Sequence, residues 1–199
     1  MIDVSKIKDP VTIHLNACTD PDQICDFMKK RNIKKYVYAF ISRMAVLKYG
    51  SSKDNEWKNG HFGDRIYRQA AYIPGWGKEL PLSESGDDIL PVINEFPKLT
   101  KNDVWVKVWD MTDYPFLAKD TPIEVEQFEN EKIQEYYNLF GCRPIGNPKD
   151  TSSIAAKTIV ADATLEGFVE LEIGNIKVPR AKRKEGKPII NQFLFYELA

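Results

Sequence analysis

The chain has 199 residues, 43% of them apolar, and its 28 basic and 29 acidic side chains leave a net charge of −1. That is enough hydrocarbon for a buried core, and too little net positive charge for bulk attraction to nucleic-acid phosphates. Cys18, Cys25 and Cys142 form no CxxC pair, no apolar run approaches the roughly 18 residues that span a bilayer, and the first residues do not read as a signal peptide, so the expected setting is a cytoplasmic, intracellular one without a membrane.

In chain order, residues 20–31 read as a helix. Pro21 and acidic residues open it, Ile24, Phe27 and Met28 recur at helical spacing, and Lys29, Lys30 and Arg31 close it in favour of the helix dipole. Residues 1–35 are thus expected to form an N-terminal helical extension. His14, Cys18 and Cys25 fit no standard zinc spacing and lack a fourth ligand. Residues 36–42 are apolar on both alternating faces, as in an inner strand, and a turn near 42–45 leads into a second strand over 46–50. A polar loop with Trp57 and His61 follows, then a helix over 64–72 that Pro74 and Gly75 break.

Ile89, Leu90, Val92 and Ile93 mark a further short helix, and Val104, Val106 and Val108 alternate with Trp105, Lys107 and Trp109 as a third strand. Pro122 opens a long helix to about residue 138, with Val125, Phe128, Ile133, Tyr136, Tyr137 and Phe140 on its apolar stripe and Gly141 as its stop. Beyond 150 the pattern is strand-rich, with a Gly174-Asn175 turn and a basic loop containing Arg180, Lys182, Arg183, Lys184 and Lys187. By default such a cluster is a solvated face, as is the one formed by Lys29, Lys30, Arg31, Lys34 and Lys35.

The chemistry-bearing residues fall in a recognisable order. Tyr36, Val37 and Tyr38 precede Lys48, Tyr49 and Gly50; Phe62, Arg65 and Arg68 start a helix; Glu129 lies on a later helix; and Pro144 to Asn147 form a Pro-x-x-Asn loop. Over residues 36–148 this order resembles the GIY-YIG nuclease family, of phage homing or restriction type. The resemblance implies an α/β fold: a small, mainly antiparallel central sheet flanked by helices, here followed by a strand-rich C-terminal extension at 149–199. It also implies Mg2+-dependent DNA endonuclease activity by a one-metal route, with Mn2+ as a substitute.

Carried over by position, Tyr38 would act as general base or orient the attacking water, needing a neighbouring cation because a phenol titrates near pH 10. Lys48 would supply that charge, and Arg65 would grip the scissile phosphate through its planar fork. Glu129 would anchor Mg2+, which favours hard oxygen ligands and retains several waters. Arg68 and Asn147 would contact DNA or support the site, and Arg180, Lys182, Arg183 and Lys184 would add phosphate contacts. A homodimer would supply the second active site that double-strand cleavage requires, and the phage-like members point to a virus or mobile element.

The chain departs from the family pattern at four places. Tyr36 stands where the family usually has Gly, Lys48 where it usually has Tyr, and Gln69 where many members have His; the 50–65 insertion is also long. Each residue has a structural alternative. Strand tyrosines fill cores, helix arginines pack their stems, and Glu129 sits among Glu124, Glu126, Glu131 and Glu135. Depending on helix phase, Glu131 or Glu135 would be the ligand; Glu129 shares a face with Ile133 and Tyr136. A catalytically inactive GIY-YIG-fold protein that binds nucleic acid or serves assembly is the competing expectation. Phosphate-loop, dinucleotide and serine-hydrolase motifs are absent from the sequence.

Overall fold

Strand β2, Lys35–Ser42, is buried along nearly its whole length because apolar or aromatic residues occupy both of its faces. It is therefore an inner strand. It pairs antiparallel with β3, Val46–Lys53, on one side and with β4, Val104–Asp110, on the other. A fourth strand, β1, Val11–His14, adds to the outer side of β4. The four-stranded antiparallel sheet runs β1-β4-β2-β3. The computed structural model describes residues 2–43, 45–53, 62–80, 82, 89–147, 170–173 and 176–179.

Among the described residues four α-helices accompany the sheet: α1, Asp22–Lys30; α2, Asp64–Tyr72; α3, Leu90–Glu95; and α4, Ile123–Phe140. On one face Tyr36, Tyr38 and Phe40 of β2 and the three inward valines of β4 meet Ile24 and Met28 of α1, Ile66 and Ala70 of α2, and Val92 of α3. The other face belongs to α4. Its Ile133, Tyr136 and Phe140 cover Ala39, Ile41, Val46 and Tyr49, while Val125 and Phe128 cover Val37. Burying a side chain the size of Phe40 stabilises by about 2–3 kcal/mol.

Glycines in the left-handed region bound α2 and α4. Gly63 sits at φ 72°, immediately before α2, with a position for Cβ only 3.0 Å from Met28 Cγ. Helix α4 begins with Glu124 and Glu126 near its positive dipole end, and ends at Gly141, φ 68°, whose N–H donates to the Tyr137 carbonyl at 2.7 Å.

Two sequence expectations change. The stretch over 1–35, read as helical, also contributes β1, whose short alternation Val11, Ile13 against Thr12, His14 completes the sheet. Strand β3 continues three residues beyond Gly50, because Ser51, Ser52 and Lys53 find partners in Val37, Tyr36 and Lys35. Near the C-terminus, β5, Glu170–Ile173, and β6, Ile176–Pro179, pair as an antiparallel two-stranded unit. Trp57, His61, Arg180, Lys182, Arg183 and Lys184 lie outside the described residues. Among the described residues no helix is long and apolar enough to cross a membrane, and Cys18, Cys25 and Cys142 are free thiols.

Candidate functional site

The outer edge of β3 gathers most of the residues singled out by the sequence. Pairing sets Tyr38 opposite Gly50, and the phenol end of Tyr38 lies over that glycine. A Cβ on Gly50 would stand 2.3 Å from both Cζ and the hydroxyl oxygen of Tyr38, so only glycine leaves room for the ring to reach the edge. The ring is otherwise enclosed, with Phe40 edge-on at 5.8 Å and Tyr36 tilted at 6.0 Å between centroids, and Tyr38 is 1% exposed.

Lys48 is also buried, and its Nζ donates to the Gly146 carbonyl at 3.0 Å. The loop that carries Gly146 is fastened to β3. Gly146 N–H donates to the Leu47 carbonyl at 2.8 Å, and the Asn147 carboxamide both accepts from Tyr49 N–H at 2.7 Å and donates to Tyr49 carbonyl at 3.0 Å. A Cβ on Gly146 would stand 2.6 Å from Lys48 Cβ and 2.9 Å from the Leu47 carbonyl oxygen. Asn147 thus acts on the β3 backbone, holding the loop that holds Lys48.

Glu129 approaches the same edge from α4. Ser51 Oγ donates to its Oε2 at 2.5 Å. Burial pushes the Glu129 carboxyl above the usual glutamate range, while the Ser51 hydrogen bond and the positive charges of Lys48 and Arg65 work in the opposite direction. The carboxylate, ammonium and guanidinium therefore share one electrostatic environment. Arg65, exposed at the start of α2, also acts on Tyr36, whose phenol bonds with Ser52 and is driven up by burial.

The three acidic alternatives on α4 separate by location. Glu131 accepts from Ile2 N–H at 3.0 Å, at the N-terminal segment. Glu135 is exposed and pairs with Lys132 at 2.7 Å. Glu129 alone of the three faces Ser51. Arg68 pairs with Asp64 one turn earlier on α2. Gln69, at the position where the family often has His, is fully buried.

Among the described residues no three or more His, Cys, Asp or Glu side chains gather to hold a metal ion. Glu129, half-buried at this edge, is the carboxylate that could hold Mg2+, a cation that favours hard oxygen ligands. Its half-burial beside Ser51 is the supporting observation, since a cation there would offset the desolvation of the carboxylate. Cysteine chemistry finds no footing beside the site: burial and three nearby aspartates push the Cys25 thiol up to about 12.

Ser51 and Gly146 are the members of this arrangement that sequence reasoning did not identify. Ser51 was available from period two, since it lies on the same face as Tyr49, towards α4. Gly146 carries no local signal, because its role depends on a contact across 98 residues. No family model, curated protein or solved structure matches this chain.

Proposed function

We propose that the protein is a Mg2+-dependent DNA endonuclease of the GIY-YIG type, with its active site at the outer edge of β3. The observation that carries the reading is geometric: Tyr38 passes over Gly50 on β3, and the next residue of that strand, Ser51, donates to Glu129 of α4. The strand order around the hairpin and the helix-borne carboxylate support the same family architecture.

In this reading Arg65 binds the non-bridging oxygens of the scissile phosphate and neutralises the charge that builds in the transition state. Lys48, fixed by Gly146, favours the phenolate of Tyr38. That phenolate accepts a proton from the attacking water as the new phosphorus–oxygen bond forms and the bond to the leaving oxygen breaks. Glu129 would hold Mg2+, which supplies Lewis acidity at the phosphate when bound. Mn2+ would serve in its place. Asn147 is a positioning residue, and Arg68, Arg180, Lys182, Arg183 and Lys184 are proposed phosphate contacts away from the reacting atoms. A homodimer would cut both strands, and a cytoplasmic, virus-encoded setting suits the resemblance.

The test is nicking of supercoiled plasmid by the purified chain with Mg2+, on modified and unmodified DNA. Tyr38→Phe, Arg65→Ala and Glu129→Ala should each lower the rate by about a hundredfold or more. Full activity in all three variants would overturn the assignment. One observation favours the second reading, a catalytically inactive nucleic-acid-binding or assembly protein: Tyr38 is almost wholly enclosed. Absence of cleavage on every DNA form, with DNA binding retained, would select that alternative.

A further inference from the structure

A second polar cluster lies on the opposite half of the sheet. Helix α4 packs chiefly on β3 and β2. The β4–β1 half of that face carries Trp105, Lys107 and Trp109, with His14 paired to Trp105 and Thr12 paired to Lys107. The β4 side chains and His14 are half-buried, and Thr12 and Arg43 are exposed. His14 and Trp105 stack at 4.3 Å with a 9° interplanar angle, and the Arg43 guanidinium lies 6.0 Å from the Trp105 centroid. Lys107 and Lys132 both lie over Trp109, at 5.4 and 6.0 Å.

Two ammonium groups over one indole repel each other. Burial, reinforced by Lys132, holds the Lys107 ammonium below the usual lysine range. Lys132 has Glu135 for a partner, but the pair is largely exposed on its carboxylate side, so its charge is weakly offset. Lys107 forms no ion pair with a carboxylate among the described residues. A half-buried cation placed mid-strand beside a like charge is relieved by an anion that settles between the two.

We infer that the β4–β1 face is a binding surface for single-stranded nucleic acid, in which Lys107, Lys132 and Arg43 take phosphates while Trp105, and the part of Trp109 not packed on Tyr49 and Phe128, stack bases. The alternation indole, ammonium, indole along one strand favours this occupant over a polyanion without bases. Its two indoles lie about 14 Å apart along the strand, with cations between and beside them. On binding, the cations move off the indole faces onto phosphates, and bases replace them. Thr12, directly opposite Lys107, adds a hydroxyl donor at the rim. The inference goes beyond the nuclease reading, because this surface holds a strand at the β1 side whether or not the β3 edge cleaves it.

The test is equilibrium binding of a labelled oligothymidylate to the full chain in EDTA, where cleavage is suppressed, over a range of salt. Wild type should bind with quenching of tryptophan fluorescence. Lys107→Gln should weaken binding about tenfold and flatten the log–log salt slope by about 0.7. Trp105→Ala should also weaken it about tenfold, while Trp105→Phe retains most of the affinity and guards against misfolding as the cause. Lys78→Gln, whose ammonium pairs with Asp20 ahead of α1, should leave oligothymidylate binding within about twofold of wild type. Unchanged binding in Lys107→Gln and in Trp105→Ala would overturn the inference, as would inorganic polyphosphate competing as well as oligothymidylate at equal charge. Loss of nicking with this binding intact counts against the nuclease reading alone; loss of this binding with nicking intact counts against the surface alone.

Discussion

The two faces of the sheet are built on different terms. The face under α1, α2 and α3 is nearly all hydrocarbon and aromatic, and its β2 and β4 residues are buried to within a few per cent. The face under α4 mixes packing with polar contacts: Ser51 with Glu129, and lysines set against tryptophan rings. A single helix covers half of a four-stranded sheet, since two strands span only about 5 Å between neighbours and a helix with its side chains is about 10–12 Å across. Hydrocarbon packing is concentrated on the three-helix side, and these polar contacts lie on the other side and along the β3 edge.

Phe40→Ala is the sharpest way to probe the packed side. It should cost about 3–5 kcal/mol in urea unfolding, and a loss below 1 kcal/mol would erase the contrast between faces. Gly50→Ala comes next. Its new Cβ would press on the enclosed Tyr38 ring, for about 1–3 kcal/mol of destabilisation and loss of nicking together. Asn147→Ala removes both contacts with Tyr49 and should cost about 1–2 kcal/mol, measured by the same unfolding curves.

The smallest effect carries the opposite sign. The Glu129 carboxyl is held above its ordinary value of 4.5, so the folded chain binds that proton more tightly than the unfolded chain. Its contribution to stability is fully present below the ordinary value and is lost as pH rises through the raised folded one. Glu129→Gln should therefore melt higher than wild type at neutral pH, with the gap closing in acid. Mg2+ should raise the melting temperature of wild type and leave that of Glu129→Gln unmoved. A variant that melts lower at neutral pH would show that the carboxylate is stabilised in place, and the two faces would then be less different than described.

Much of this architecture was legible in the residues. The unbroken apolar run of β2 announced an inner strand, the valine alternation announced β4, and Gly141 marked a helix end. Strand β1 escaped because four residues of weak alternation carry little signal until β4 offers hydrogen bonds and a stacking partner for His14. The site was legible only in its chain order. Which of Glu129, Glu131 and Glu135 turns towards Ser51 depends on how α4 seats on the sheet, and Asn147's attachment to Tyr49 is a tertiary fact with no local signature.

The attachment of Asn147 has a further consequence. By accepting from and donating to one residue of β3, its carboxamide imitates the peptide group of a neighbouring strand, and the Gly146 N–H extends the imitation to Leu47. An outermost strand with unanswered amides is a template for pairing with another molecule. Here side chain and loop occupy that template at Leu47 and Tyr49, so this stretch of the outer edge is closed to strand addition by another copy of the chain.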